Sequence, residues 1–258
     1  MKNKFIILIF FFLTATNGPV FSETPAQTDD SLKKAEEYQA SIPVKVVRKV
    51  ELPAGYHEGL FIDGNNIWVN NGEKGKTWII DVSSGNVISE IEPPGTFTEG
   101  ISAAPDGKFW VTDWDTKKLY LTKIEENKMI PISEKSFEPS RPTGVIWNGR
   151  ALYVITWTRG MGTKYYILKL DNEGNILHKV KIKRIHEPSQ LAWDGKDLWV
   201  SSWYTQRVYR IDIDTLQIVG HFHSPVNDTT GIVWDGEYMW VTGTKSDLYQ
   251  VKLGAPSE

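Results

Sequence analysis

The chain has 258 residues, of which 24% are charged and 40% hydrophobic, a composition that is typical of a folded globular protein and excludes a disordered chain. Lysine and arginine total 29 against 32 aspartates and glutamates, so there is no basic excess to drive nucleic-acid binding. Cysteine is absent, which excludes disulfides, catalytic thiols and thiolate zinc sites.

The first 22 residues have the pattern of a secretory signal peptide. Lys2 and Lys4 precede an apolar run over residues 5–15, and a polar segment then ends at Ser22. The apolar run is shorter than the roughly 20 residues that a membrane-spanning helix needs, although an uncleaved anchor is the alternative. We therefore predict cleavage after Ser22 and a periplasmic or secreted protein that is not held at a membrane. Residues 23–41 are predicted to be a mobile polar leader, and residues 255–258 a disordered tail.

One pattern recurs five times between residues 42 and 254. Each copy has an Asp-Gly or Asn-Gly pair, followed after a few residues by an aromatic residue and valine. The glycines of successive pairs are 43, 42, 46 and 41 residues apart, and a repeat of about 40–45 residues is typical of β-propeller blades. The Asp-Gly and Asn-Gly pairs suit tight hairpin turns. The five glycines are Gly64, Gly107, Gly149, Gly195 and Gly236.

Each copy is interpreted as four short strands, but the fifth copy ends at Leu253 without its fourth strand. Val44–Leu52 is a predicted strand that belongs to no copy. Pairing it with the fifth copy closes the ring and removes two exposed sheet edges. The sequence therefore predicts an all-β, monomeric, five-bladed β-propeller of four-stranded antiparallel blades; an open array of hairpins is the alternative. On a predicted outer strand, His221 and His223 alternate and are expected to face the solvent.

A ligand is expected in the central funnel, where the first strand of every blade begins. Two sets of equivalent positions face this funnel. The first set precedes the first-strand glycine or its equivalent and is polar in every blade: Glu58, Glu99, Thr143, Ser189 and Thr230. The second set lies four residues after the second-strand aromatic and is tryptophan in three adjacent blades: Trp114, Trp157 and Trp203.

These positions are interpreted as a pocket with aromatic walls and carboxylates at its floor. Burial beside indole rings raises the pKa of a carboxyl toward values that suit proton transfer. The alternative is that the tryptophans only fill space between neighbouring blades. The sequence has no HExxH zinc motif and no Gly-x-Ser-x-Gly nucleophile motif. We therefore predict a peptide or small-molecule ligand and no cofactor, with a structural or pocket calcium ion left open.

Several segments resemble the five-bladed glutaminyl cyclases (glutaminyl-peptide cyclotransferases) of plants and bacteria, over nearly all of residues 42–253. Residues 56–60, Tyr-His-Glu-Gly-Leu, are similar to the family's Phe-Thr-Gln-Gly-Leu. Residues 97–101, Phe-Thr-Glu-Gly-Ile, are similar to its Phe-Gly-Glu-Gly-Leu, with Trp114 downstream. Residues 198–203, Leu-Trp-Val-Ser-Ser-Trp, resemble its Val-Trp-Ala-Asn-Ile-Trp, and residues 231–253 are the most similar stretch.

That family converts the N-terminal glutamine of a peptide to pyroglutamate and releases ammonia, while a glutamate shuttles a proton from the α-amine to the leaving amide nitrogen. The resemblance implies this catalytic role for Glu99 and a pocket wall made by Tyr56, Trp114 and Trp203. Glu58 and Trp157 complete the predicted substrate-binding set. The chain departs from the family's Gln, Trp, Asn and Lys at four pocket positions, which are Glu58, Thr143, Ser189 and Thr244.

Two other functions stay open. A non-catalytic propeller would bind a peptide or glycan on the tryptophans, since indole rings stack on sugars and on cations. A metal-dependent lactonase or lyase would need a ring of oxygen ligands. The five polar positions supply two charged groups, Glu58 and Glu99, whereas calcium prefers about six to eight oxygens.

Overall fold

The computed structural model describes residues 41–255. In this part of the chain, 20 strands form five four-stranded antiparallel sheets whose inner strands contact one another around a ring. This arrangement confirms the predicted five-bladed β-propeller. The predicted signal peptide, the leader up to residue 40 and the tail from residue 256 lie outside the described residues.

Four blades consist of consecutive strands, and the blade that closes the ring combines both ends of the described chain. The closing blade contains β1 (Val44–Val50), β18 (Thr229–Trp234), β19 (Met239–Gly243) and β20 (Leu248–Leu253). The first blade contains β2 (His57–Asp63), β3 (Asn66–Asn71), β4 (Lys76–Asp81) and β5 (Val87–Ile91). The second contains β6 (Thr98–Ala103), β7 (Phe109–Asp113), β8 (Lys118–Glu125) and β9 (Lys128–Ser136), with a 3-10 turn at Pro105–Gly107. The third contains β10 (Arg141–Trp147), β11 (Leu152–Thr158), β12 (Lys164–Leu170) and β13 (Ile176–Ile182). The fourth contains β14 (Pro188–Trp193), β15 (Leu198–Ser202), β16 (Arg207–Ile211) and β17 (Ile218–His223).

The ring closes through β1, as predicted. Val44 lies opposite Leu253 and Val50 lies opposite Leu248 in an antiparallel pair. The strand ends at Val50 rather than at the predicted Leu52, because β20 begins at Leu248 and offers no partner beyond it. The backbone N–H of Leu52 donates instead to the Asp247 carboxylate, at 3.3 Å.

The first described residues cover part of the outer edge of the fourth blade. Ser41 forms a parallel bridge with His221, and the N–H of Ile42 donates to the carbonyl oxygen of His221 at 2.7 Å. His221 is only 4% exposed, so the prediction that it faces the solvent is wrong, whereas His223 is exposed as expected. At His221, β17 is therefore not an exposed sheet edge, because residues 41 and 42 lie against it.

The repeated Asp-Gly…Trp-Val pattern has a local structural cause in the fourth and closing blades. The carboxylates of Asp194 and Asp235 accept hydrogen bonds from the indole Nε1 of Trp199 and Trp240, each at 2.7 Å. The glycine after each aspartate has a positive φ, as this turn requires. Each turn is thus tied to a large side chain that packs into the apolar clusters between blades.

The inner strands approach one another closely because most of them carry glycine just after the polar funnel position. A Cβ on Gly59 would overlap the carbonyl oxygen of Glu99 in the next blade. The fourth blade has Gln190 at this position, and its Oε1 accepts the backbone N–H groups of Val145 at 3.0 Å and Leu191 at 2.9 Å. Gln190 is 2% exposed, so its side chain fills the centre of the ring beneath the funnel.

Candidate active site

A cavity of about 430 Å³ lies at the end of the propeller where the inner strands begin. Its lining includes the polar position of every blade, with Thr143, Ser189 and Thr230 beside the two glutamates. It also includes the six predicted site residues, which are Tyr56, Glu58, Glu99, Trp114, Trp157 and Trp203. The structure therefore brings the predicted residues together around one space, and their chemical roles stay a prediction.

The floor of this cavity holds two carboxyl groups from adjacent blades. Glu58 on β2 and Glu99 on β6 occupy equivalent positions, and their side chains are within hydrogen-bonding reach of each other. Burial raises the pKa of Glu58 well above its usual range, and the charges of Glu99 and Asp228 raise it further. Burial also raises the pKa of Glu99 to about 8, against the effect of its hydrogen bond with Glu58. Two buried carboxyls in contact cannot both ionise easily, so the pair retains a proton at neutral pH.

The three hydroxyl-bearing positions of the ring connect neighbouring blades. Thr230 donates its hydroxyl hydrogen to the carbonyl oxygen of His57 at 2.8 Å. Ser189 donates to the carbonyl of Thr230 at 3.2 Å, and Thr143 donates to that of Pro188 at 3.4 Å. These hydroxyls hold the inner strands in place and leave the glutamate pair as the titratable groups of the ring.

Three tryptophans form the walls, and they are not equivalent. Trp114 and Trp157 meet edge to face, with ring centroids 5.3 Å apart, and Nε1 of Trp157 donates to the Pro188 carbonyl at 2.7 Å. Trp157 also packs against the apolar cluster between the third and fourth blades, so it fills space as well as lining the cavity. In residues 41–255, Trp114 and Trp203 belong to none of the apolar clusters. Trp203 is 41% exposed at the rim.

Tyr56 places a phenol beside the carboxyl pair. Burial and the nearby charges of Glu58, Glu99 and Asp228 raise the pKa of Tyr56 to about 12, although a hydrogen bond with Trp203 works in the opposite direction. The hydroxyl therefore keeps its proton at neutral pH. It can serve as a hydrogen-bond donor to an oxygen of a bound ligand.

Asp113 fixes the loop that carries another wall residue, Phe97. The fully buried Asp113 carboxylate accepts the N–H groups of Thr96 at 2.8 Å and Phe97 at 2.6 Å, and that of Thr116 at 2.8 Å. Gly95 has a φ of 88°, and a Cβ there would overlap this carboxylate. One aspartate thus positions the turns on both sides of Trp114, and the ring of Phe97 then meets Tyr56 edge to face.

Four lining residues were not predicted from the sequence: Phe97, Asp115, Arg159 and Glu187. Except for Phe97, which lies in a segment that carries the family resemblance, they follow strands in loops of unequal length, so no equivalent position identifies them. The guanidinium of Arg159 lies 5.4 Å from the ring centroid of Trp114. Arg141 lies 5.0 Å from the same ring and is held by the Trp114 carbonyl at 2.8 Å and by Asp115 at 3.5 Å.

Within residues 41–255, no group of three or more His, Cys, Asp or Glu side chains lies close enough together to hold a metal ion. The same part of the chain contains no helix that is long and apolar enough to cross a membrane.

No protein-family model matches the chain, and no curated protein matches it in sequence. The glutaminyl cyclase of Myxococcus xanthus superposes with a TM-score of 0.69 at 14% identity, over 85% of this chain and 100% of that one. The PQQ-bound aldose sugar dehydrogenase of Streptomyces coelicolor superposes with a TM-score of 0.61 at 13% identity, over 83% of this chain and 99% of that one. The first likeness agrees with the resemblance of the sequence segments. At these identities, the two likenesses together establish that this chain shares the β-propeller fold of enzymes with different activities.

Proposed function

We propose that this protein is a glutaminyl cyclase-like aminoacyltransferase that converts the N-terminal glutamine of a peptide to pyroglutamate. In this reaction the α-amine attacks the side-chain carboxamide carbon, and a new C–N bond closes a five-membered lactam. The bond from that carbon to the amide nitrogen breaks, and ammonia leaves. One proton must therefore move from the attacking nitrogen to the leaving nitrogen.

The contact between the carboxyls of Glu58 and Glu99 is the observation that carries this proposal. A pair that shares one proton offers a base and an acid at the same place, and the raised pKa of Glu99, about 8, suits transfer near neutral pH. In its ionised form, whose share grows as the pH rises from 7 through the pKa of about 8, Glu99 takes the proton from the amine and delivers it to the leaving nitrogen. The neutral hydroxyl of Tyr56 beside the pair supports a role as donor to the carboxamide oxygen, where negative charge develops.

The charge of the cavity supports a ligand with a free N-terminus. Among residues 41–255, four carboxyl residues line it, Glu58, Glu99, Asp115 and Glu187, against the cation Arg159. Since Glu58 and Glu99 keep a proton at neutral pH, the excess of negative charge comes chiefly from Asp115 and Glu187. An excess of negative charge in a recess attracts an ammonium group. The half-exposed ring of Trp203 adds an indole face, which also attracts cations.

Mass spectrometry of Gln-initiated dipeptides incubated with the protein tests the proposal directly. The expected result is a mass decrease of one ammonia with the wild type and a rate reduced by about 10²–10⁴-fold with Glu99→Gln. Glu73→Gln is the matched control, because Glu73 is an exposed carboxylate outside the cavity on the turn between β3 and β4. No ammonia loss at any pH from about 5 to about 9 would refute the proposal.

A non-catalytic funnel that binds a peptide or glycan is the second candidate. It is favoured by the exposure of Trp203, 41%, and of Tyr204, 58%, at the rim. Exposed aromatic rings next to a recess suit stacking on sugars or peptide side chains. Binding without any change in ligand mass, retained in Glu99→Gln, would favour this candidate over the enzyme.

A propeller lactonase or lyase has less support, because the ring offers only Glu58 and Glu99 as carboxyl groups and these two hold a proton between them. The N-terminal pattern supports export of the protein to the periplasm or the medium, which we propose as the place where peptide N-termini reach the funnel.

A further inference from the structure

Glu187 lines the cavity on the connection between β13 and β14, and the proposed reaction does not use it. Among residues 41–255, its Oε2 is buried and has no hydrogen-bond partner. A buried carboxylate oxygen without a donor is unfavourable, and such oxygens are rare in folded proteins. Glu187 as a whole is half-buried and lines the cavity, so a cationic group of a ligand would meet its carboxyl group there.

The backbone holds Glu187 firmly in this position. Its φ is 46°, in the left-handed region that side-chain-bearing residues seldom adopt. Its carbonyl oxygen accepts the N–H of Trp203 at 3.0 Å, and its backbone forms a hydrogen bond with the Tyr165 hydroxyl. The next residue, Pro188, accepts the indole N–H of Trp157. Glu187 is thus fixed between two of the wall tryptophans.

A carboxylate in the wall of a cavity is suited to bind a cation through a charge-assisted hydrogen bond. In the proposed substrate, the α-amine has to reach Glu58 and Glu99 in order to react. The cation at Glu187 must therefore be another group of the ligand. In a peptide that starts with glutamine, the nearest one is the side chain of the second residue.

We infer that Glu187 is a specificity-determining residue that selects peptides with lysine or arginine directly after the N-terminal residue. The inference takes its substrate from the proposed function. Arg159 lines the same cavity with the opposite charge and, among residues 41–255, has no ion-pair partner. It opposes a basic side chain, so its removal should strengthen the preference that Glu187 creates.

The test compares Gln-Lys-amide with Gln-Met-amide, whose second side chains have similar length but different charge. We expect a value of kcat/KM at least about tenfold higher for the lysine peptide, expressed mainly in KM because the contact exists before the reaction. Glu187→Gln keeps the side-chain size and should abolish the preference. Glu73→Gln should retain it, and Arg159→Met should increase it. Equal rates for the two peptides with the wild type, or a preference that survives in Glu187→Gln, would overturn the inference.

A binding measurement separates this inference from the proposed function. Ala-Lys-amide and Ala-Met-amide cannot cyclise, and their affinities can be measured by tryptophan fluorescence. Tighter binding of the lysine peptide to the wild type, lost in Glu187→Gln, supports the inference even if no Gln peptide is turned over. Equal affinities overturn it even if cyclisation is observed. If Glu187→Gln fails to fold, Arg159→Met provides the test. A lysine preference in that variant equal to the wild-type preference would contradict the inference that Arg159 opposes the basic side chain in this cavity.

Discussion

The carboxyl pair at the funnel floor should make the protein less stable as the solution becomes alkaline. Burial raises the pKa of Glu99 to about 8, whereas a glutamate in an unfolded chain titrates near pH 4.3. Between these two values the folded state holds a proton that the unfolded chain has lost. The free energy of unfolding therefore falls as the pH rises through this interval, and it levels off above the folded pKa.

The expected loss of stability can be calculated for the interval from pH 7 to pH 9. Glu99 alone should reduce the free energy of unfolding by about 1 kcal/mol over this interval, and any proton that Glu58 loses there adds to the reduction. His221 acts in the opposite sense, because burial and the charge of Arg207 lower its pKa to about 4. An unfolded histidine titrates near 6.5. The stability that His221 contributes as the pH rises is therefore almost fully present by pH 7, and it changes little between pH 7 and pH 9.

Urea unfolding at pH 7 and pH 9 measures this effect. The wild type and the control Glu73→Gln should lose the same stability between the two conditions. The double variant Glu58→Gln/Glu99→Gln removes both titrating groups and preserves side-chain size, so its stability should change by less than about 0.5 kcal/mol. A wild type that is equally stable at both pH values would refute the assignment of a shared proton, and so would a double variant with the full loss.

Three variants test the surroundings of the site, and one sequencing experiment tests the predicted cleavage at the N-terminus. Gly95→Ala should destabilise the fold by about 1–3 kcal/mol in thermal unfolding, because its φ is positive and the new methyl group would overlap Asp113. Gln190→Leu should cost about 2 kcal/mol or more, since it leaves two buried backbone N–H groups without their acceptor. Tyr56→Phe should lower kcat by about 10–10²-fold with little change in folding; an unchanged kcat would remove the hydroxyl from the mechanism. N-terminal sequencing of the exported protein should find Glu23 first, and an intact Met1 would contradict cleavage.

Much of the blade could be predicted from the sequence because its determinants are local. The carboxylate of Asp235 and the indole of Trp240 are five residues apart and bond directly to each other, so the pattern repeats wherever the hairpin repeats. The pairing of the closing strand could be predicted from the same sequence repeat. The fifth copy lacks a fourth strand, and Val44–Val50 supplies it. Equivalent positions on the inner strands then predicted which side chains share the funnel.

Only the tertiary structure decided which of these groups touch and which loop residues join them. The contact of Glu58 with Glu99 depends on how closely two inner strands approach, and this distance is set by the packing of one blade against the next. Glu187 enters the cavity from a connection of irregular length, which no periodicity describes. His221 is buried by a segment that lies far from it in sequence. The sequence by itself determined the blades and the ring, because hairpins repeat locally. The chemistry of the funnel depends on contacts between blades, which form only when the ring closes.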